Sequence, residues 1–220
     1  MGKIDTEMIK TKSTELITGL KRASSCFVAY NNKIADIESH TEYTREFRDS
    51  QILAERQIME AQARKIFDDM YDSLSKMEEV MAENDNTYDF SDPEFSSCLS
   101  LLAAVEKPLP GETIVGIASK FLGNRQALLA LAEVAKERNK QTLGEMVFNS
   151  EAEMAALRDK IEDLDIHFPK AAYLIPDIRN AVLKTCKKCG QELSEQEADC
   201  GIDYQEIVNL QIRAAMGLLS

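Results

Sequence analysis

The residues best equipped for chemistry lie near the C-terminal end, in Cys186-Lys187-Lys188-Cys189-Gly190, followed by Cys200-Gly201. Two cysteines three apart on a tight turn set two thiolates side by side, the geometry of half a zinc ribbon. A structural zinc takes four ligands. Cys186, Cys189 and Cys200 would therefore need a fourth from His167, Asp199, Asp203 or another subunit. Two other readings stay open. The first in rank is unligated thiols at a helix end; the second is a redox pair, although the usual strand-to-helix setting is missing. Lys187 and Lys188 would favour the thiolates, so these cysteines are expected to be the most sensitive to oxidation.

Other chemistry is sparse. The only histidines are His40 and His167, while triads, metal-dependent hydrolases and most acid–base sites draw on histidine. The Glu-x-x-His pattern of a carboxylate-bridged metal pair in a bundle is absent. The glycines are isolated, so no phosphate loop forms. Acidic runs such as Glu78-Glu79 and Glu162-Asp163 read as solvated faces. The expectation is a protein without catalysis and without a cofactor, save for the structural zinc that the cysteines would admit.

Composition says which elements must position these residues. Aromatics make up 6% of the chain and tryptophan is absent, so core volume comes from Leu, Ile, Val, Ala and Met. Helices pack those side chains well. A net charge of −12 opposes binding to a phosphate backbone, and no segment collects a basic block. No apolar run reaches the roughly 18–20 residues of a membrane span. The opening MGKIDTEMIKTKSTEL carries charges throughout and lacks a signal-peptide core. Gly2 stands beside Asp5 and Glu7 and matches a myristoylation pattern only loosely. Five cysteines at irregular spacing read as reduced thiols. The expected setting is the cytoplasm, or a virion, with neither nucleic acid nor membrane as partner.

Between Gly19 and Pro93 there is no glycine or proline, which permits very long helices. Leu16, Leu20, Ala23, Phe27, Tyr30, Ile34 and Ile37 alternate steps of four and three, the spacing of a coiled-coil seam. Thr41 and Thr44 then stand where large apolar residues belong, before the stripe resumes through Phe47, Ile58, Ile66 and Met70. The weak stretch 38–51 is either a helix-to-helix turn or a stutter in one rod. Residues 1–84 thus form a long helical arm, coiled-coil-like or a hairpin. A straight arm would run roughly 120 Å at 1.5 Å per residue, too long for the remaining chain to cover. A hairpin would bury the stripe in part, and the alternative is a helical bundle packed wholly within one monomer. Leu16, Leu20, Phe27, Tyr30, Ile34, Ile37, Phe47, Ile58, Ile66 and Met70 are accordingly the candidate interaction residues.

Residues 85–220 read as a compact helical domain. Asp92-Pro93-Glu94 starts a helix, Lys107-Pro108-Leu109-Pro110-Gly111 interrupts, and Gly123-Asn124 joins one helix's end to the next helix's cap. Further helices are expected over Arg125–Arg138, from a Ser150/Glu153 capping box, from Asp177 to about Lys184, and from Asp203/Glu206 through Ile207, Leu210, Ala214 and Leu218. Pro169 and Pro176 bracket an irregular segment or a single turn. The fold class is all-α.

This layout, with Leu109-Pro110-Gly111-Glu112-Thr113 and Phe121-Leu122-Gly123-Asn124-Arg125-Gln126-Ala127-Leu128 in its body, resembles that of small helical accessory proteins in tailed-phage morphogenesis clusters. The resemblance implies a virion or assembly role: scaffold-like, decoration or connector. The chain differs in that residues 191–220 are net acidic, where scaffold-like proteins often end in a basic helix. The reading is a structural or assembly protein whose arm binds its own copies, as a homo-oligomer, or a larger protein subunit. The alternatives are a regulatory or inhibitory binding module, such as a host-directed phage factor, and a small zinc or thiol protein.

Overall fold

The computed structural model describes residues 6–85, 88–147 and 149–201. The expected last helix, from Asp203 to Leu218, lies outside them. The described residues are all-α, as the sequence predicts: α1 (Thr6–Ser39), α2 (Arg45–Asp85), α3 (Pro93–Ala104), α4 (Gly111–Ser119), α5 (Arg125–Val134), α6 (Glu137–Met146), α7 (Ser150–Ile166), a 3-10 turn at Ala172–Leu174, and α8 (Ile175–Lys188). No strand forms among them, and none of their helices is long and apolar enough to cross a membrane.

The weak middle of the arm is a turn. Thr44 caps α2, its hydroxyl oxygen accepting from the Phe47 N–H at 3.3 Å. The two threonines that interrupt the apolar stripe are therefore turn and cap residues. α1 and α2 return on each other antiparallel. Arg22 pairs with Asp69 at 2.7 Å, Ser73 donates to Glu15 at 2.8 Å, and the Cys26 thiol faces the Met59 carbonyl at 3.9 Å.

The described chain packs as two compact units. A core unit draws on 6–12, 75–155 and 183–192, and a hairpin unit on 13–74, 156–182 and 193–201. α2 ends at Asp85, and each unit takes residues from either side of that point.

In the core unit, capping residues set the helix ends. Asp92 accepts from the Glu94 N–H with Pro93 in the first turn, and Asn124 accepts from the Ala127 N–H at 2.9 Å after Gly123 at φ 80°. The helices close over Phe95, Leu102, Ile114, Phe121, Leu128, Leu131 and Leu143. Each fully buried side chain of this kind contributes roughly 1.5–3 kcal/mol. Two boundaries differ from expectation. The helix from Arg125 stops at Val134, because Ala135 and Lys136 are both extended. The chain then turns into α6, which packs on α4 and α5. A continuous helix would carry Leu143 roughly 22 Å along the axis from Leu128, out of the core. α7 is capped by Asn149, whose side chain accepts from the Ala152 N–H at 3.4 Å. Glu153 does not close a capping box. It pairs with Lys188 and, at 3.7 Å, Lys184.

The hairpin unit buries Leu16, Ile17, Leu20, Ala23 and Phe27 of α1 with Met59, Ile66, Phe67, Met70 and Leu74 of α2. Phe168, just after α7, sets its ring edge-on to Phe27 and Phe67, with centroids 6.5 and 5.6 Å apart. Tyr71 donates to Asp165 at 3.3 Å. The segment after α8 is tied down by Lys21, which bonds Asp199 at 2.9 Å, and by Arg179, which donates to the Ala198 carbonyl.

Candidate functional site

The cysteine knuckle has a structural explanation. α8 runs past Lys184, and Cys186 and Cys189 fall in and just after its last turn. The Gln191 N–H donates to the Cys186 carbonyl at 3.1 Å and the Gly190 N–H to the Lys187 carbonyl at 2.9 Å. Gly190 itself is left-handed at φ 76°. Those two bonds with a glycine beyond the helix end are a Schellman cap. The glycine that made the sequence look like a zinc knuckle is the cap residue. Cys186 and Cys189 are 1% and 2% exposed, which suits apolar packing.

Of the ligands considered for a structural zinc, Asp199 is held by Lys21 and the Gly201 N–H, and Asp203 lies outside the described residues. Among the described residues no three ligand-type side chains gather. The expected oxidation sensitivity is corrected. Lys187 faces Glu192 at 3.7 Å and Lys188 faces Glu153, while burial shields both sulfurs. Cys26 is the more accessible thiol, and partial burial pushes its pKa up.

The interaction stripe divides in two. Leu16, Leu20, Phe27, Ile66 and Met70 are at most 5% exposed, enclosed by the unit itself, and are core residues. The expectation that the whole stripe needs an outside partner is corrected to that extent. Tyr30, Ile34 and Ile37 are half-buried along the seam, and Phe47 and Ile58 are exposed. From residue 28 to residue 58 no side chain is buried. This tip reaches roughly 18 Å beyond Phe27 along α1, taking 1.5 Å per residue to Ser39. On it Tyr43, Phe47, Leu53 and Ile58 are 36%, 46%, 57% and 51% exposed. Phe47 and Ile58, eleven residues apart, share one face of α2.

His40 closes the tip. Its ring stacks on Tyr43 (4.8 Å, 7°), and Tyr43 meets Phe47 edge-on at 4.9 Å. His40 Nδ1 donates to the Asp36 carbonyl at 2.8 Å, at the negative end of α1, which favours the protonated ring. That bond, with the Glu42 and Asp36 carboxylates, holds the imidazole pKa above its usual value against an opposing effect of burial. A raised folded pKa gives stability present below the unfolded pKa and lost as pH rises through the folded one. The His40 ring should titrate with a midpoint above about 6.5 in an NMR series. Amide exchange at 40–44, corrected for intrinsic rate, should accelerate across that midpoint and lose the step in His40→Gln. A midpoint at or below the ordinary value would contradict the cap.

Compared with protein-family models, with curated proteins and with solved structures, the chain matches none.

Proposed function

We propose that this is a non-enzymatic structural or assembly protein that binds through its hairpin tip, to its own copies or to a larger protein subunit. The observation that carries the reading is the run from 28 to 58, two helices long, with no buried residue and four exposed large apolar side chains. A single exposed leucine is ordinary on a protein surface. Here the apolar groups sit on one end of one hairpin, where only a single half-buried seam holds two helices together. A third surface laid over Tyr43, Phe47 and Ile58 would complete that packing.

The tip's charges are mixed, with Arg45, Arg48 and Arg56 among Glu46, Asp49 and Glu55. Mixed signs suit a protein partner and can complement a second tip. They do not suit a phosphate backbone. The layout's resemblance to tailed-phage accessory proteins gives the proposal a class, a scaffold-like, decoration or connector component, and the cytoplasm or a virion as its setting.

The test is sedimentation velocity of the whole chain from about 1 to 100 µM, a range that covers interaction free energies near −5 to −8 kcal/mol. Assembly with concentration, abolished in Phe47→Glu/Ile58→Glu at unchanged helicity, is the expected result for self-binding. If the chain stays monomeric, the larger-subunit form predicts a co-purifying stoichiometric protein that the same double substitution releases. Monomers with no tip-dependent partner would overturn the proposal.

A further inference from the structure

The hairpin unit contains an open cleft of about 580 Å³ that shares Tyr30 and Arg56 with the tip and is otherwise distinct from it. Its apolar floor is Phe168, Pro169, Ala171 and Leu174, and the Phe168 ring is locked by Phe27 and Phe67. α1 brings Tyr30 and α2 brings Arg56 to it, while Asp163, His167, Lys170 and Tyr173 come from the end of α7 and the following turn. The volume lies within the range of small-molecule sites, and the lining is more polar than most, with its polar groups set around an apolar floor.

The polar groups are unevenly matched. The Lys170 ammonium, the His167 ring and the Tyr30 and Tyr173 hydroxyls make no side-chain hydrogen bond or ion pair with any described residue. The Arg56 guanidinium spends Nε on Glu60 at 3.0 Å and keeps its remaining N–H groups. Asp163 is the one carboxylate in the lining. Unspent donors therefore outnumber acceptors, in a chain whose net charge is −12. That excess asks for an oxyanion. The two phenol rings and the imidazole beside an apolar floor ask for a flat body attached to it. We propose that the cleft binds a small aryl oxyanion, a planar ring bearing a phosphate or a carboxylate, with the anion held by Arg56 and Lys170 and the ring against Tyr30 and Tyr173.

The experiment titrates the isotopically labelled full chain with phenyl phosphate, sodium benzoate, inorganic phosphate and benzyl alcohol, followed by NMR and calorimetry. Saturable binding of either aryl anion, with a Kd below about 1 mM, is expected to move the Ala171 and Leu174 amides and the His167 ring. The stronger of the two aryl anions identifies the charged group. Inorganic phosphate and benzyl alcohol should each bind at least about tenfold more weakly, since each offers half of the recognition. Lys170 is exposed, so Lys170→Met should keep the helical spectrum and weaken binding about tenfold, with Lys170→Arg retaining it; Arg56→Met serves equally should the first variant misfold. No saturable shift by about 20 mM, shifts mapping away from the cleft, or equal affinity for inorganic phosphate or benzyl alcohol would overturn the proposal. So would unchanged binding in both methionine variants.

Discussion

Replacing Asn139 with leucine is expected to destabilise the core unit by about 2–4 kcal/mol, although leucine is apolar and the site is buried. Asn139 is 2% exposed on α6. With its amide oriented to satisfy both partners, Nδ2 donates to the Leu109 carbonyl at 3.1 Å and Oδ1 accepts from the Leu109 N–H at 2.8 Å. Leu109 stands between Pro108 and Pro110, which have no N–H. The link from α3 to α4 therefore has one donor at this point, and Asn139 is what meets it. Leucine would strand a donor and an acceptor together, each costing roughly 1–3 kcal/mol when buried unpaired. Asn139→Asp has the same shape but turns a carboxylate oxygen toward the Leu109 carbonyl. It should lose more stability at pH 7 than at pH 4, where a protonated carboxyl regains a donor. Urea unfolding followed by circular dichroism measures both. A loss below about 0.5 kcal/mol for the leucine variant would show that this pair is not what holds the link.

The same residue marks where sequence reading runs out. Asn139 lies in Glu-Arg-Asn-Lys-Gln, where nothing separates it from solvated neighbours. Only the Pro-Leu-Pro link, thirty residues earlier in the chain, gives it a partner. The break at Ala135 and Lys136 is illegible for the same reason, since neither residue is a breaker and the gain comes from seating Leu143 in the core. Local signals fared better. Asp92-Pro93, Gly123-Asn124 and the out-of-place threonines at the arm's middle act through bonds to residues two or three away, so their meaning travels with the sequence. The cysteine knuckle is an intermediate case. Cys-x-x-Cys-Gly suits both a metal turn and a Schellman cap, and the hydrogen bonds at Gly190 and Gln191 show the cap. The stripe shows the limit most directly. Leu16 and Phe47 occupy equivalent positions in one apolar pattern, yet one is buried and the other 46% exposed. The period tells which face is apolar, whereas cover depends on Phe168 and its neighbours, more than a hundred residues away.

A tight contact between the two long helices gives the last expected result. Gly19 lies inside α1, where alanine would ordinarily gain about 1 kcal/mol of helix propensity. A Cβ built there would stand 2.4 Å from Met70 Cγ and 2.9 Å from its Sδ. Met70 is 1% exposed, and Cγ cannot swing aside without a new χ1 into packed neighbours. Gly19→Ala should therefore be net destabilising, by about 1–3 kcal/mol, and Gly19→Leu by more. Met70→Ala alone should cost about 2–5 kcal/mol through its cavity. In the Gly19→Ala background that cost should shrink by at least about 1 kcal/mol, because the new methyl occupies vacated space. Thermal and urea unfolding of the four-member cycle reads the coupling. A stabilising Gly19→Ala, or strict additivity, would mean that the helices are not held at this distance. The crossing at Gly19 lies inside the enclosed part of the stripe, so these variants should lower the folded fraction while leaving the association of folded molecules through Phe47 and Ile58 unchanged. Loss of association in a fully folded Gly19→Ala protein would move the interface from the tip to the base of the hairpin.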